Sequence, residues 1–361
     1  MQDNAMSKWL TPLLAFCLSF LIIATLAPMT GIQIERQLDF WMLWLVTMLV
    51  LALPIGYLEV ALAKRAKTTA LQALMSLTRE ADRSPKWRLV GWLAVIFIPF
   101  LAGGMLSNAS QVLNQWALAD VNSMAIFAGC AMISLALSLL PRMYLLILSA
   151  LGVIASLVFA NTSGTQLAAW QVTPVEFSEW GSATVLALVA SGLGLGLYAQ
   201  SHLNQLTQEK SATATALPVW IAQLVAVIAF GFFAVHAQLS AYSLVFAVIM
   251  AAAAMLQMAR EQLAQRQMAI AIQWAVVVIA TFAWLIPQSA QFFNPLLMIW
   301  GLVICLIYTI FAGWMMKISH LRKAMNFSHE AFYNVWRIAV RVVSPLAILL
   351  AIVAVIGQLV A

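Results

Sequence analysis

Long apolar runs, each about the length of a membrane crossing, fill this chain and are cut apart by short polar or charged clusters. A bilayer core of about 30 Å is crossed by roughly 20 apolar residues in a helix. By that measure the chain divides into about eleven segments, approximately 9–29, 40–63, 88–112, 122–140, 143–160, 181–203, 215–236, 240–259, 267–286, 293–316 and 335–359. Only Pro141 and Arg142 separate the fourth from the fifth. The short alternating pattern of an outer-membrane barrel is missing from these runs. The pattern predicts an all-α polytopic membrane protein.

Composition agrees. Of 361 residues 64% are hydrophobic and 8% charged, against about 25% charged in soluble domains. Cys17, Cys130 and Cys305 all fall inside apolar segments, where they read as packing residues with no disulfide framework. With the N-terminus placed in the cytoplasm, every Lys and Arg except Arg36 falls on the inner side, from Lys8 through Lys64, Arg65 and Lys210 to Arg341. This bias is the positive-inside pattern. The net charge of +6 is therefore a topology signal and does not argue for nucleic acid. The first segment is too long for a signal peptide, and Pro28 follows its one small-residue site at Ala27. An odd number of crossings puts the C-terminus outside. A multi-pass protein of the bacterial inner membrane is expected.

Ionisable residues within an apolar segment are rare and are functional candidates. Glu59, in LALPIGYLEVALAKRAK, is the clear case. Two readings are open for it: a structural carboxylate that accepts hydrogen bonds from open backbone, or a carrier of a proton or cation. In the third segment Ser107, Gln111 and Asn114 share one helix face beside Asn108 and Ser110. They read either as the lining of a watery vestibule or as a helix end entering the headgroups. No metal-ligand or hydrolase constellation can be assembled, and the histidines, His202, His236, His320 and His329, are scattered near loops. An enzyme is not expected, nor any cofactor.

The sixth segment carries VASGLGLGLY, with Gly192, Gly194 and Gly196 at alternate positions. Glycine costs a helix roughly 1 kcal/mol per residue relative to alanine. Gly192 and Gly196 form a G-x-x-x-G pair suited to close helix packing. Gly194 lies off that face, and packing does not require it. The competing reading is a broken helix whose open backbone holds solute or ions at mid-membrane, tolerated only where protein lines a cavity.

Several of these segments together resemble the neurotransmitter:sodium symporter family, whose fold is that of the bacterial leucine transporter. In the second segment Pro54, Tyr57, Glu59 and Lys64 match the family's order, and a basic amphipathic loop follows. Gly91 and Pro99 are placed as in its third helix, Gly192, Leu193, Gly194, Leu195 and Gly196 align with its sixth-helix break, and Trp336 and Pro345 resemble its last helix. The resemblance implies two inverted five-helix repeats, about 9–160 and 181–316, an extra helix at about 335–359, and a discontinuous sixth helix, all in one transporter domain over 1–361. It implies that Glu59 steadies the open backbone. It implies a small-solute site at Ser191, Gly192, Leu193, Gly194 and Gly196, with Ser107, Asn108, Ser19 and Thr25 as further polar candidates.

Departures from the family bear on coupling. Its first-helix break has no counterpart in CLSFLIIATLAPM, where Ile22 and Ile23 stand in the unwinding region. Its eighth-helix hydroxyls, which bind sodium, are replaced by Ala251, Ala252, Ala253 and Ala254. Sodium ligands thus look lost near Ile23 and these alanines, which argues against sodium coupling and leaves the coupling ion open. The expected function is secondary transport of a small, amino-acid-like solute by alternating access. The alternative is a transporter-like membrane scaffold that binds a partner or lipid and moves nothing.

Overall fold

The computed structural model describes residues 2–30, 37–116, 118–162, 169–201, 203, 211–234, 240–317 and 319–360, without the side chains of 2–8, 201 and 234. Arg36, His202, Lys210 and His236 lie outside the described residues. Helices run α1 (Gln2–Leu26), α2 (Leu38–Ala66), α3 (Ala70–Glu80), α4 (Pro85–Trp116), α5 (Ser123–Leu137), α6 (Arg142–Thr162), α7 (Phe177–Leu188), α8 (Leu197–Ser201), α9 (Thr213–Phe233), α10 (Ala241–Gln265), α11 (Ile270–Leu285), α12 (Ser289–Met315), α13 (Ser319–Met325) and α14 (Glu330–Val360). The eleven apolar segments of the sequence correspond to α1, α2, α4, α5, α6, the α7–α8 pair, α9, α10, α11, α12 and α14. This is a multi-pass membrane protein, all-helical among its described residues. The structure adds α3 and α13, two short helices at the basic end of the bundle; Leu71, Leu74 and Leu77 of α3 are buried.

Lipid is as apolar as a leucine side chain, so membrane helices are held by close packing and by hydrogen bonds between helices. Small residues do this at the centre. The alanine row Ala251, Ala252, Ala253 and Ala254 lies fully inside, on α10, which packs against α4, α5 and α6. The helix α1 packs on α9 and α6, and α14 packs on α7 and α12.

Two of the irregular turns lie just before prolines. A proline has no N–H to give the carbonyl four residues back. Pro345 thus frees the Arg341 carbonyl, which accepts from Trp314 Nε1 at 2.9 Å. The turn before it, Ala339–Val343, widens to π geometry. A π turn at Met48–Ala52 likewise precedes Pro54 in α2.

The polar face of α4 is inside the bundle. Asn108 Nδ2 donates to the Thr25 carbonyl at 3.1 Å and to Asn294 Oδ1 at 3.1 Å. All three residues are buried, so α1, α4 and α12 are pinned together at one point. Asn108→Ala is expected to lower stability by about 1 kcal/mol, the usual scale of such bonds in membrane bundles. Asn294→Ala should cost a similar amount and the double variant little more, as read from thermal unfolding midpoints.

Candidate solute site at a helix break

The helix α7 starts with a capping box between Glu176 and Glu179 and is anchored by Trp180 Nε1 on the Ala347 carbonyl at 3.2 Å. It ends at Leu188, although the surrounding residues are as apolar as any in the chain. Gly192, Gly194 and Gly196 take φ of +63°, +80° and +73°. Side chains on L-residues disfavour that region by roughly 1–2 kcal/mol each, so only the alternating glycines let the strand of backbone run there. The helix resumes at Leu197 as α8.

Open backbone away from water needs partners. Some are local: the Gly192 amide reaches the Val189 carbonyl at 2.9 Å, the Leu193 amide the Leu188 carbonyl at 3.2 Å, and the Gly196 carbonyl accepts from the Gln200 amide at 3.0 Å. Others come from other helices. Glu59 Oε2 of α2 accepts from the Gly194 amide at 2.8 Å, and the Gly196 amide faces the same carboxylate. Ser191 carbonyl accepts from Tyr198 Oη at 2.7 Å and from Gln223 Nε2 of α9 at 3.0 Å. Leu195 carbonyl accepts from Gln262 Nε2 of α10 at 3.1 Å, and Leu193 carbonyl from Cys305 Sγ of α12 at 3.5 Å. Side chains of α2, α8, α9, α10 and α12 therefore hold one loop. The Ser191 hydroxyl points at Met48 Sδ, 3.8 Å away.

The remaining polar candidates divide. Ser19 of α1 lies beside the Tyr198 hydroxyl, so it joins the break. Asn108 and the Thr25 carbonyl form the separate α1–α4–α12 pin, and no described hydrogen bond connects that pin with the break. Ser107 is buried near Asn108 on α4. The donors Tyr198, Gln223 and Gln262 were not singled out from the sequence. A lone glutamine inside an apolar segment, as at Gln223, was the available signal. Cys305 was read there only as packing.

On the opposite side, α1 runs unbroken through Ile22 and Ile23, both fully buried. It contributes no open backbone at Ile23. The α10 alanines present methyl groups, and among the described residues no three His, Cys, Asp or Glu side chains cluster as a metal site. Beside Glu59 a small cavity of about 20 Å³ opens, lined by Ala70, Leu74, Gly194, Gly196 and Tyr308. That is room for about one water.

No family model matches this sequence, and no curated protein matches it. Its architecture does have a solved counterpart. The crystal structure of MhsT in complex with L-phenylalanine superposes with a TM-score of 0.63, over 95% of this chain and 98% of that one, at 14% identity. The chain has the neurotransmitter:sodium symporter fold. At that identity the likeness is one of fold alone.

Proposed function

We propose that the protein is a secondary transporter of a small, amino-acid-like solute, working by alternating access around the break between α7 and α8. The observation that carries this is the break itself: three positive-φ glycines and a carboxylate on the Gly194 amide, in mid-bundle, at the cost of a continuous helix. The neighbour in fold, MhsT, holds L-phenylalanine in its crystal. The same proposal includes two repeats at about 9–160 and 181–316 with an added helix at about 335–359. It also includes a cytoplasmic N-terminus and an outer C-terminus in a bacterial inner membrane. The buried Ile23 and the α10 alanines favour coupling by something other than sodium.

Among the carbonyls of the break that have a described partner, Leu193 is held most weakly. Its partner is a thiol, a poor donor, at 3.5 Å. We assign it as the acceptor for a solute N–H, which would displace Cys305. Ser191 carbonyl, with two strong donors, is already saturated.

A second reading, the non-transporting scaffold, draws on the same contacts: side chains already occupy Ser191, Leu193 and Leu195, and the cavity holds about one water. A thermal-stability screen of the purified protein separates the two. Each common amino acid and simple amines would be added in sodium and in potassium buffer. A ligand at 100 times its Kd stabilises by about 2.7 kcal/mol, a shift that is readily seen. Transport predicts a stabilising solute that is independent of sodium, followed by its uptake into proteoliposomes. A sodium-requiring hit overturns the assignment of coupling, and no hit with any solute favours the scaffold.

A further inference from the structure

One buried hydroxyl beside the break is left over. Tyr308 of α12 is 7% exposed, and its Oη has no hydrogen-bond partner among the described residues. A buried phenol ordinarily finds one. Its ring stands at the break: a Cβ on Gly194 would lie 3.7 Å from Tyr308 Cδ2. Tyr308 also lines the cavity of about 20 Å³ that Glu59 borders, and its hydroxyl lies in the field of that carboxylate. A carboxylate, an unmet hydroxyl and room for about one water therefore share one small space.

Among the described residues no cation lines that space. The other side chains on its walls are alanine, leucine and isoleucine. The charges on the helices packed around α2 are held elsewhere: Arg65 by Glu80 of α3, which His320 of α13 approaches at 3.5 Å, Arg322 of α13 by Glu330, and Arg341 of α14 over Trp314. Lys64, Arg79, Lys323 and Arg337 do not line the cavity either. Two other titratable groups face Glu59, and both are engaged in the break. Cys305 Sγ donates to the Leu193 carbonyl and Tyr198 Oη to the Ser191 carbonyl. A hard metal cation takes about six oxygen ligands, and the side chains of these walls offer only the oxygens of Glu59 and Tyr308. A proton needs no such shell.

We propose that Glu59, Tyr308 and one water in this cavity form a proton-binding site, and that the proton is the coupling ion of the transport reading, on which that second clause rests. A proton delivered through water adds to a carboxylate oxygen, giving a neutral carboxyl and leaving the water behind. The cavity suits both states. Hydroxyl and water each donate and accept, so the pair can donate to the carboxylate and accept from the carboxyl O–H. The difference falls on the break. A carboxylate serves the amides of both Gly194 and Gly196, whereas a carboxyl has one oxygen committed to its O–H. Protonation thus loosens one amide of the loop whose Leu193 carbonyl is the assigned solute acceptor, and proton and solute binding become linked.

Infrared titration of the purified protein, from mildly acid to mildly alkaline pH, tests the site without any solute. A protonated carboxyl shows its own C=O stretch, displaced in heavy water. One such band should appear with falling pH and be absent from Glu59→Gln. In Tyr308→Phe, which keeps the ring and removes only the hydroxyl, the band should persist at a changed frequency, an effect that a merely structural tyrosine would not give. Hydrogen–deuterium exchange over 189–197, corrected for its intrinsic pH dependence, should rise roughly fivefold as the band appears, the factor for one hydrogen bond, and be independent of pH in Glu59→Gln. The site is overturned if Glu59→Gln removes no band, or removes one of constant size across the titration, since the carboxyl would then be always charged or always neutral. A band unmoved in Tyr308→Phe removes the hydroxyl and its water, exchange indifferent to the band removes the link to the break, and a band abolished when sodium replaces choline makes the cavity a metal site. A titrating band in a protein that takes up no amino acid would instead keep the proton site and remove the transport reading, and coupling with it.

Discussion

Glu59→Leu is expected to destabilise the protein by about 3 kcal/mol and Glu59→Gln by about 1 kcal/mol. The carboxylate takes the Gly194 amide at 2.8 Å and faces the Gly196 amide, while both glycines are buried. Leucine can accept neither. Two orphaned amides would cost roughly 4 kcal/mol. A water in the cavity of about 20 Å³ recovers part of that. Glutamine keeps one acceptor oxygen and so loses about one bond. Relief of the carboxylate's own desolvation works against both numbers, which are therefore upper values; the order of the three proteins is the test. Thermal midpoints of the three proteins in one detergent should fall in the order Glu, Gln, Leu. A leucine variant as stable as the parent would remove the supporting role altogether.

That experiment bears on a residue that the sequence singles out, and the reason is physical. A lone carboxylate in an apolar run has few ways to persist, and three alternating glycines in another run leave open donors. Each feature is local, so each could be read without knowing the fold. The membrane segments were legible on the same ground, because length and apolarity are properties of a window. The partners were not. Nothing in the composition around Gln262 says that it meets Leu195, or around Asn294 that it meets Asn108. Such pairs are fixed by how distant helices cross. Pro54 and Pro345 each lack an N–H, but a kink and a π turn both begin from that loss, and packing decides between them.

The same distinction explains why the G-x-x-x-G pattern was ambiguous. Gly192 and Gly196 were spaced for helix packing, yet both sit at positive φ in a stretch that is not helical. The pattern counts residues along a regular helix, and the third glycine, Gly194, removes the regularity on which that count depends. Close approach survives in a different form. A Cβ on Gly196 would stand 2.7 Å from the Cβ of Ala70 at the start of α3. The break and the first turn of α3 are therefore fitted to each other, and α3 closes the cavity beside Glu59 with Ala70 and Leu74.

Gly196→Ala is accordingly expected to cost about 2–4 kcal/mol, from two separable sources. Holding an alanine at φ +73° costs roughly 1–2 kcal/mol. Forcing a methyl against Ala70 costs a further 1–3 kcal/mol or so, the usual scale of overpacking. Only the second source depends on Ala70. In the double variant Gly196→Ala, Ala70→Gly, the nearest remaining atoms of residue 70 lie at 3.5 and 3.7 Å, ordinary contact distances. Ala70→Gly alone should cost about 1 kcal/mol, as glycine does in a helix. The double variant should then be no less stable than Gly196→Ala, because the relieved clash offsets the added glycine. A coupling energy of about 1–3 kcal/mol in that cycle, from unfolding midpoints, would show that α3 is packed onto the break. Strict additivity would mean that the break moves away from α3 without cost, and that α3 does not seal the carboxylate. Uptake of whatever solute the stability screen identifies then gives the second reading: a methyl at 196 that Ala70→Gly accommodates should restore stability before it restores transport, since the strained φ remains in the loop that has to move.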